Sequence, residues 1–404
     1  MHKNKRKHRG FKVSGIALML LARCFSFLPM QKRMGGIQMP VSYMEINLNA
    51  LRHNLKVIRA HLPKEVNVLA VVKANAYGHG AKETLRIALE EGYVAAAVAR
   101  VEEGAELRDA GFTCPIYVLG LPLPEDMPIG VNKDLIMPID DTVDLDALEA
   151  IAAVSKKTIE VMLPIDTGMN RIGTHPEDVP ALLKKLEAYP HIHAHGTFTH
   201  MATADHKEKD AALKQLDRFD EAISYMPVDE NFVISSANSA GVIDIPRSWH
   251  NLARPGIIIY GPQPSDVMTN KLDLQYAMSV VSHVTHVQTL HKGEAIGYGG
   301  TYVAKEDMKT ATVPIGYADG WHRSLSNKGV VLINGKRCPI VGRICMDQFM
   351  VACDDEVRPG DEVVLMGKQG EEEITVDEVS ATAETIPHEI MCDLKRIPRV
   401  FVEK

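Results

Sequence analysis

Lys73 ends an apolar run, Val66-Asn67-Val68-Leu69-Ala70-Val71-Val72, and a turn rich in Asn, Gly and His (Asn75, Gly78, His79, Gly80) follows it. A mostly aliphatic stretch with no wet face reads as a buried strand. A lysine at the exit of such a strand has its stem in apolar surroundings and its amine at a rim. Desolvation there lowers the ammonium pKa, which is what an amine needs to form a Schiff base near neutral pH. Tyr77, four residues on, is close enough to reach a group bound beside that amine. On local pattern alone a plainer reading, a solvated lysine after a core strand, competes with the chemical one.

The elements that must position Lys73 follow from hydrophobic periodicity. Ser42–Asn49 reads as a half-buried strand and Leu51–Leu62 as a helix. Short apolar runs then occur at Val66–Val72, Val94–Val98, Pro115–Leu119, Leu135–Ile139, Thr158–Ile165, Ala194–Thr199, Phe232–Ser236 and Trp249–Arg254. Between them lie helix-like segments at Ala81–Glu91, Val101–Ala110, Thr142–Ser155, Pro176–Ala188 and Lys207–Ser224. Eight strand candidates alternating with helices over about 190 residues predict an α/β fold, a (β/α)8 barrel. A doubly wound open sheet usually has fewer strands and a Gly-rich turn after its first strand, and no GxGxxG occurs here.

Beyond about Tyr276 the runs become short and β-rich: Val280–Leu290, Thr310–Pro314, Gly329–Ile333, Cys338–Val341, Phe349–Cys353 and Asp361–Leu365. Asn334-Gly335 marks a tight hairpin turn. The expected division is a leader over 1–40, the barrel over 41–275 and a mostly β domain over 276–404.

Composition narrows the function classes. The chain has 404 residues, 46% hydrophobic and 24% charged, as in ordinary globular proteins. Its net charge is −7, with no basic tract outside the first thirteen residues, so nucleic-acid binding is not expected. Cys24, Cys114, Cys338, Cys345, Cys353 and Cys392 are scattered without a CxxC pair, which suits reduced thiols rather than a disulfide framework or zinc site. The basic stretch His2–Lys12 and the apolar Val13–Met30 resemble a targeting segment, but Arg23 interrupts it and no small-residue cleavage site follows. Met34 and Met39 offer alternative starts. The expectation is a cytoplasmic protein without stable membrane association, with export or anchoring through residues 1–33 as the alternative.

In a barrel, reactive groups belong at the carboxyl ends of strands, and phosphates are held by the loops after strands seven and eight. Lys73 follows the first strand, Asp166-Thr167-Gly168-Met169-Asn170-Arg171 the fifth, His200 the sixth and Ala237-Asn238-Ser239-Ala240 the seventh. Arg254-Pro255-Gly256-Ile257 closes the eighth, with Pro255 suited to open a short helix. Ser239 and the Gly256 and Ile257 amides then fall where a phosphate is expected. A Schiff-base lysine opposite a phosphate rim points to pyridoxal 5′-phosphate. Arg254 is the candidate beside the ring nitrogen. A guanidinium accepts no proton, so the ring would stay a weaker electron sink, suited to removing and returning a proton.

These residues carry a resemblance. Ala70-Val71-Val72-Lys73-Ala74-Asn75-Ala76-Tyr77-Gly78-His79-Gly80 resembles the cofactor-lysine signature of the bacterial alanine racemases. The segments at 166–171, 199–202, 237–240 and 254–256 are similar to that family as well. So are Gly297-Tyr298-Gly299-Gly300-Thr301-Tyr302, Pro314-Ile315-Gly316-Tyr317-Ala318-Asp319-Gly320 and Gly342-Arg343-Ile344-Cys345-Met346-Asp347-Gln348. The resemblance runs from about Ser42 to the end in the family's order, and the motifs together are far more specific than any one. It implies a pyridoxal-phosphate isomerase that interconverts L- and D-alanine and supplies D-alanine for peptidoglycan.

Position by position, the resemblance makes Lys73 the covalent holder of the cofactor and the base on the D face. Tyr298 becomes the base on the L face, reaching the barrel mouth of the other subunit, so a homodimer with shared sites is implied. Arg171 and the Met346 amide bind the substrate carboxylate. Tyr77, Ser239, Gly256 and Ile257 hold the phosphate, Asn238 is a further cofactor contact, His200 positions Arg254, and Tyr317 and Asp347 line the entrance. Two positions depart from the pattern. Pro164 stands where many members carry a carbamylated lysine that orients the arginine, and His388 stands where the family usually has a tyrosine touching the phosphate and narrowing the pocket. Alanine is the expected substrate, with serine or broader specificity as the alternative.

Other readings remain at this point. A decarboxylase of the same architecture would not need Tyr298 as a face-specific base. A non-catalytic cofactor carrier would not need the β domain. The alternate histidines His191, His193 and His195 share one strand face and evoke a metal hydrolase, but zinc needs further ligands at strand ends and only His200 is near. A polar strand entrance is the reading adopted, and no metal is expected.

Overall fold

The computed structural model describes residues 33–34, 37–38 and 40–404. The chain divides into a unit Met1–Val41 and a unit Ser42–Lys404. In the first, Arg33–Met34 pairs antiparallel with Ile37–Gln38. The expected leader over 1–40, with its targeting segment at 1–33, lies almost wholly outside the described residues.

The larger unit opens with strand β1 (Tyr43–Asn47) and helix α1 (Leu48–His61). Asn47 ends one and caps the other: its Oδ1 accepts from the Asn49 and Ala50 amides at 3.0 and 3.2 Å. That cap ends the strand expected to Asn49 at Asn47, and the helix expected from Leu51 begins at Leu48. Eight parallel strands follow: β2 (Asn67–Val71), β3 (Ala95–Val98), β4 (Ile116–Val118), β5 (Met137–Pro138), β6 (Ile159–Pro164), β7 (Ile192–Phe198), β8 (Val233–Ser235) and β9 (Leu252–Ala253). Between them run α2 (Ala81–Glu90), α3 (Val101–Asp109), α4 (Met127–Asn132), α5 (Leu145–Ser155), α6 (Val179–Leu186), α7 (Asp210–Ser224) and α8 (Ser239–Asp244). Each expected apolar run contains or overlaps one strand.

Several strands are shorter than their apolar runs, for local reasons. Pro138 and Pro164 lack an amide for the ladder and sit at the last positions of β5 and β6. Trp249, expected in the last strand, instead follows a 3-10 turn and donates its indole N–H to the Gly241 and Val242 carbonyls at 3.2 and 3.0 Å. The helices expected at Thr142 and Lys207 begin at Leu145 and Asp210, the first because Asp144 caps it. The short α4 and α8 were not among the expected helices.

The strands form two ladders, β9-β2-β3-β4 and β5-β6-β7-β8. A parallel bridge between Tyr117 and Ile136 joins β4 to the β5 side. On the other side, Arg254 donates its amide to the Ala237 carbonyl at 2.9 Å. Asn251 Oδ1 accepts from the Ile234 amide at 2.8 Å, and Ser235 Oγ donates to the Leu252 carbonyl at 2.6 Å. The ring is a (β/α)8 barrel whose last seam is closed largely by side chains. Fully buried Leu51, Leu55, Ile58, Leu85, Leu107 and Phe219 pack its helices onto it.

The exit of β2 has an unusual backbone. Ala74, Asn75, Ala76 and Tyr77 have φ of 52, 53, 56 and 51°, so four consecutive non-glycine residues are left-handed. Each costs about 1–2 kcal/mol relative to the right-handed form, and the surroundings must hold them. Glu103 accepts from the Ala74 amide at 2.6 Å, and Asn75 Oδ1 accepts from Ala81 at 2.8 Å. His79 is fully buried, with Nδ1 at 3.1 Å from both the Ala76 and Tyr77 carbonyls and its ring stacked on Tyr260 at 4.6 Å. Arg399 Nε donates to the Gly78 carbonyl. Gly78 (φ 86°) has no room for a side chain, since a Cβ there would lie 2.4 Å from the Met391 carbonyl oxygen.

The remainder is mostly β. Strands β10 (Met278–His283), β11 (His286–Leu290), β12 (Met308–Val313), β13 (Val330–Ile333), β14 (Lys336–Pro339), β15 (Phe349–Cys353) and β16 (Glu362–Gln369) precede helices α9 (Val376–Ala383) and α10 (Pro387–Asp393), and β17 (Arg399–Val402) follows them. One sheet runs β14-β13-β16-β10-β1-β17, and another β11-β12-β15. The run expected as one strand over Val280–Leu290 breaks at Val284 and Thr285, whose amides turn to the Asp361 and Thr312 carbonyls and so change sheets. Asn334 (φ 52°) and Gly335 (φ 73°) make the hairpin turn between β13 and β14. β1 is the element that local pattern misassigns: it pairs antiparallel with β10 and parallel with β17, so a strand expected within the 41–275 segment completes the β-rich sheet.

Burial pulls the His79 imidazole down to about 4 from an ordinary 6.5. Between those values the unfolded chain binds the extra proton, so the contribution of a neutral His79 is present above pH 6.5 and is lost as pH falls toward 4. The loss amounts to about 3 kcal/mol. Urea unfolding at pH 7 and pH 4.5 should show His79→Gln less stable than wild type at pH 7 and with a smaller fall between the two; an unchanged pH dependence would show that His79 is not the titrating group.

Candidate active site

Strand exits of the barrel converge on a cavity of about 520 Å³, within the usual range for small-ligand sites. Lys73, Tyr77, Arg171, His200 and Arg254 line it, with Asn238, Ser239, Gly256, Ile257 and His388. Ten of the fourteen residues singled out from the sequence therefore share one space.

The half-buried Lys73 amine lies 5.9 Å from the centre of the Tyr77 ring. Its pKa is lowered, mainly by desolvation and then by Arg171, while Cys392 and Glu103 oppose the shift. At neutral pH more of the amine is in its nucleophilic form than for a solvated lysine.

Ser239, Gly256 and Ile257, expected as the anion cradle, line the same cavity as Lys73. Ser239 begins α8, and Gly256 precedes a 3-10 turn over Ile257–Tyr260. The turn starts at Ile257, not at Pro255. The Gly256 amide donates to Ser239 Oγ at 2.9 Å. A Cβ on Gly256 would lie 2.7 Å from Tyr77 Oη, so only glycine lets that backbone meet the phenol. Tyr77 is braced by the Tyr260 ring at 4.9 Å. Asn238 is committed to its helix: Oδ1 accepts from the Gly241 amide at 3.0 Å and Nδ2 donates to the Met201 carbonyl at 3.2 Å. It shapes the wall and caps α8 more than it offers free polar atoms.

Arg254 is buried and bonded to neutral oxygens, with Nη1 to Ser235 Oγ at 2.5 Å and Nη2 to the Thr199 carbonyl at 2.7 Å. The Phe198 ring lies 5.4 Å away. Burial brings the guanidinium down to about 10, still charged at neutral pH. His200 was expected to position Arg254, but Ser235 and Thr199 make the contacts that fix it, because both sit on strand ends flanking the guanidinium. Desolvation, followed by Arg254, Arg171 and Lys73, pushes His200 down to about 3 and keeps it neutral. Ser235 was missed; its one sequence signal is a hydroxyl inside the apolar run ending β8.

Arg171 sits on a loop folded by Asp166, whose Oδ1 accepts from the Gly168 and Asn170 amides at 2.9 and 3.0 Å. Among the described residues its guanidinium has no hydrogen bond or ion pair. Pro164 lines the same cavity, and its carbonyl accepts from Thr174 at 3.0 Å. The His388 ring lies 5.7 Å from that of Tyr77, and its buried Nδ1 has no partner among the described residues. Its pKa is lowered by burial and then by Lys73.

Four site candidates do not reach this cavity within one chain. Tyr298 is 70% exposed on a glycine-rich turn, and Met346 is 53% exposed. Tyr317 is held beside Met346 by the bond from the Ala318 amide to the Met346 carbonyl at 3.0 Å. Asp347 lies 4.0 Å from Arg396. These four belong to the β-rich part and face outward. The histidine triplet is engaged elsewhere: His191 with Glu149 at 2.6 Å, and His193 and His195 with Glu160 at 3.2 and 2.8 Å. Among the described residues no cluster could hold a metal ion.

The family model "Alanine racemase, N-terminal domain" matches residues 46–264, and "Alanine racemase, C-terminal domain" matches 277–401. Alanine racemase 1 of Bacillus subtilis is 40% identical over 367 residues, covering 90% of this chain and 93% of that protein. The crystal structure of alanine racemase from Bacillus anthracis with bound L-Ala-P is 37% identical, with a TM-score of 0.85, covering 91% of this chain and 96% of that one. Histidine racemase from Leuconostoc mesenteroides is 29% identical with a TM-score of 0.83, covering 91% and 99%. With both halves matched and identity near 40% along nine-tenths of its length, the chain belongs to the alanine racemase family.

Proposed function

We propose that the chain is an isomerase that interconverts L- and D-alanine with pyridoxal 5′-phosphate as cofactor, working as a homodimer with shared sites. One observation carries this reading: a half-buried lysine amine, a glycine-bared cradle and an arginine bonded to neutral oxygens line one cavity. The residues present fit that cofactor. Gly256 leaves the space beside Tyr77 Oη that a side chain would fill, and the Nδ1 of His388 is buried without a partner among the described residues.

Pyridoxal phosphate, when bound, supplies a ring that draws negative charge away from the amino acid's Cα. Tyr77, Ser239 and the Gly256 and Ile257 amides hold its phosphate, with His388 and Asn238 beside them and His200 a neutral wall. Lys73 holds the cofactor and then moves the α-proton to or from its Nζ on one face. Tyr298 of the partner subunit serves the opposite face through its Oη. Two bases on opposite sides are the minimum for inversion, since one takes a proton where the other delivers one. Arg254 would put a cation that accepts no proton where a carboxylate would otherwise favour a protonated ring nitrogen, which limits charge withdrawal and disfavours side reactions. Arg171 and the Met346 amide hold the substrate carboxylate, with Tyr317 and Asp347 at the entrance.

In this scheme the barrel over 41–275 carries the cofactor, and the β-rich part over 276–404 lends Tyr298 across the dimer. The product would serve peptidoglycan synthesis in the cytoplasm. No helix among the described residues is long and apolar enough to cross a membrane.

The primary test is a visible spectrum before and after borohydride, with D-alanine formation from L-alanine followed by a coupled oxidase. Tyr298→Phe should cut racemisation by about 100-fold or more while the trapped cofactor remains on Lys73. Full activity would remove Tyr298 as a base, and release of CO2 would favour a decarboxylase. Pro164 has no amine to carbamylate, so activity should not change when bicarbonate is added at constant pH and ionic strength; stimulation would contradict this. A second reading, use of serine, is favoured by the Nδ1 of His388, which has no partner among the described residues and can bond a substrate hydroxyl. His388→Tyr should then lower turnover of serine relative to alanine by about tenfold, and an unchanged ratio would count against it.

A further inference from the structure

Glu103 has a geometry that its local role does not explain. It is the third residue of α3, and a glutamate there commonly turns back to bind the amide preceding its helix. Its Oε2 does so, accepting from Arg100 at 3.2 Å and Ala99 at 2.7 Å. Helix capping needs nothing more. Its other oxygen, Oε1, crosses to another element and accepts from the Ala74 amide at 2.6 Å. Ala74 is the first left-handed residue and directly follows Lys73. One carboxylate thus ties the exit of β2 to the exit of β3.

We propose that Glu103 is a positioning residue for Lys73: its carboxylate fixes the left-handed turn from which the lysine amine enters the cavity. The far end of the turn has its own fasteners, His79 on the Ala76 and Tyr77 carbonyls and Arg399 on Gly78. The end next to Lys73 has Glu103. Glu103 makes no ion pair with Lys73 among the described residues; its charge opposes the lowering of the amine's pKa, and its hold on the turn is through the backbone bond to Ala74. Gln at this position keeps the shape but presents one acceptor, and either the Ala74 amide or the Ala99 and Arg100 amides lose their partner. Asp keeps the charge but is too short to span both sets.

The proposal rests on Lys73 being the cofactor's attachment point, so the test reads the turn without the cofactor first. Hydrogen exchange of cofactor-free protein should show the 73–80 segment of Glu103→Gln exchanging roughly tenfold faster, with segments of the β10–β16 sheet unchanged and the melting temperature close to wild type. Equilibrium dialysis with pyridoxal phosphate should show a dissociation constant raised by about tenfold. Glu103→Asp should show intermediate values in both, and it carries the test if the Gln protein does not fold. Wild-type exchange in the 73–80 segment overturns the proposal, as does faster exchange spread evenly over the protein, which marks a merely structural role. Borohydride trapping followed by peptide mapping checks the underlying reading separately. A label on another lysine would remove Lys73 as the attachment point, while the exchange data would still decide whether Glu103 holds the turn.

Discussion

Four left-handed residues in a row, none of them glycine, are what the rest of the barrel mouth is built to sustain. The conformation is costly for alanine and more so for tyrosine. It persists because each end is bonded to an element from elsewhere in the chain, α3 through Glu103 and the final strand through Arg399, while buried His79 bonds back onto the turn it follows. Within five residues the turn places a lysine amine and a phenol on the same cavity. A right-handed turn of the same length would place them differently. Strain is stored at the functional site, and the surrounding packing offsets it.

The electrostatics of the cavity follow from dryness more than from charge pairs. Desolvation is the leading influence on Lys73, His200, Arg254 and His388, and in each case it disfavours the cation. Arg254 withstands it because an arginine begins so far above neutrality. His200 and His388 do not. The result is a pocket with a fixed guanidinium, neutral imidazoles and a poised amine. Such a set can hold an anion and pass a proton without a carboxylate at the ring position.

Much of this was legible in the sequence, for identifiable reasons. Alternating apolar runs reported the barrel because parallel strands buried on both faces lose their polar residues. Lys73 was legible because a charged residue ends such a run abruptly. What escaped was non-local or depended on backbone shape. Nothing in Ala74-Asn75-Ala76-Tyr77 announces positive φ, since the usual signal is glycine. Glu103 reads as an ordinary helix-capping residue, and its second bond exists only once two strand exits are adjacent. Ser235 and Thr199 hold Arg254 through a hydroxyl and a main-chain carbonyl, which residue type alone does not disclose. The role expected of His200 came from the family resemblance; the bonds to Arg254 come from the residues beside it in the fold, Ser235 and Thr199. Tyr298 and Met346 were matched by motif, but in one chain they lie on the exposed face of the β-rich part.

Strand β1 pairs with β17 in register from Met44–Arg399 to Asn47–Val402. The barrel is therefore inserted after the first strand of a sheet whose other strands all come from the last third of the chain. On a ribosome, the barrel's strands emerge while β1 still lacks both of its neighbours. The sheet closes only when the last strand arrives, and Arg399, one of the fasteners on the Lys73 turn, arrives with it. Shaping of the turn after Lys73 is thus tied to completion of the polypeptide: a nascent or prematurely ended chain lacks the clamp that Arg399 supplies on Gly78.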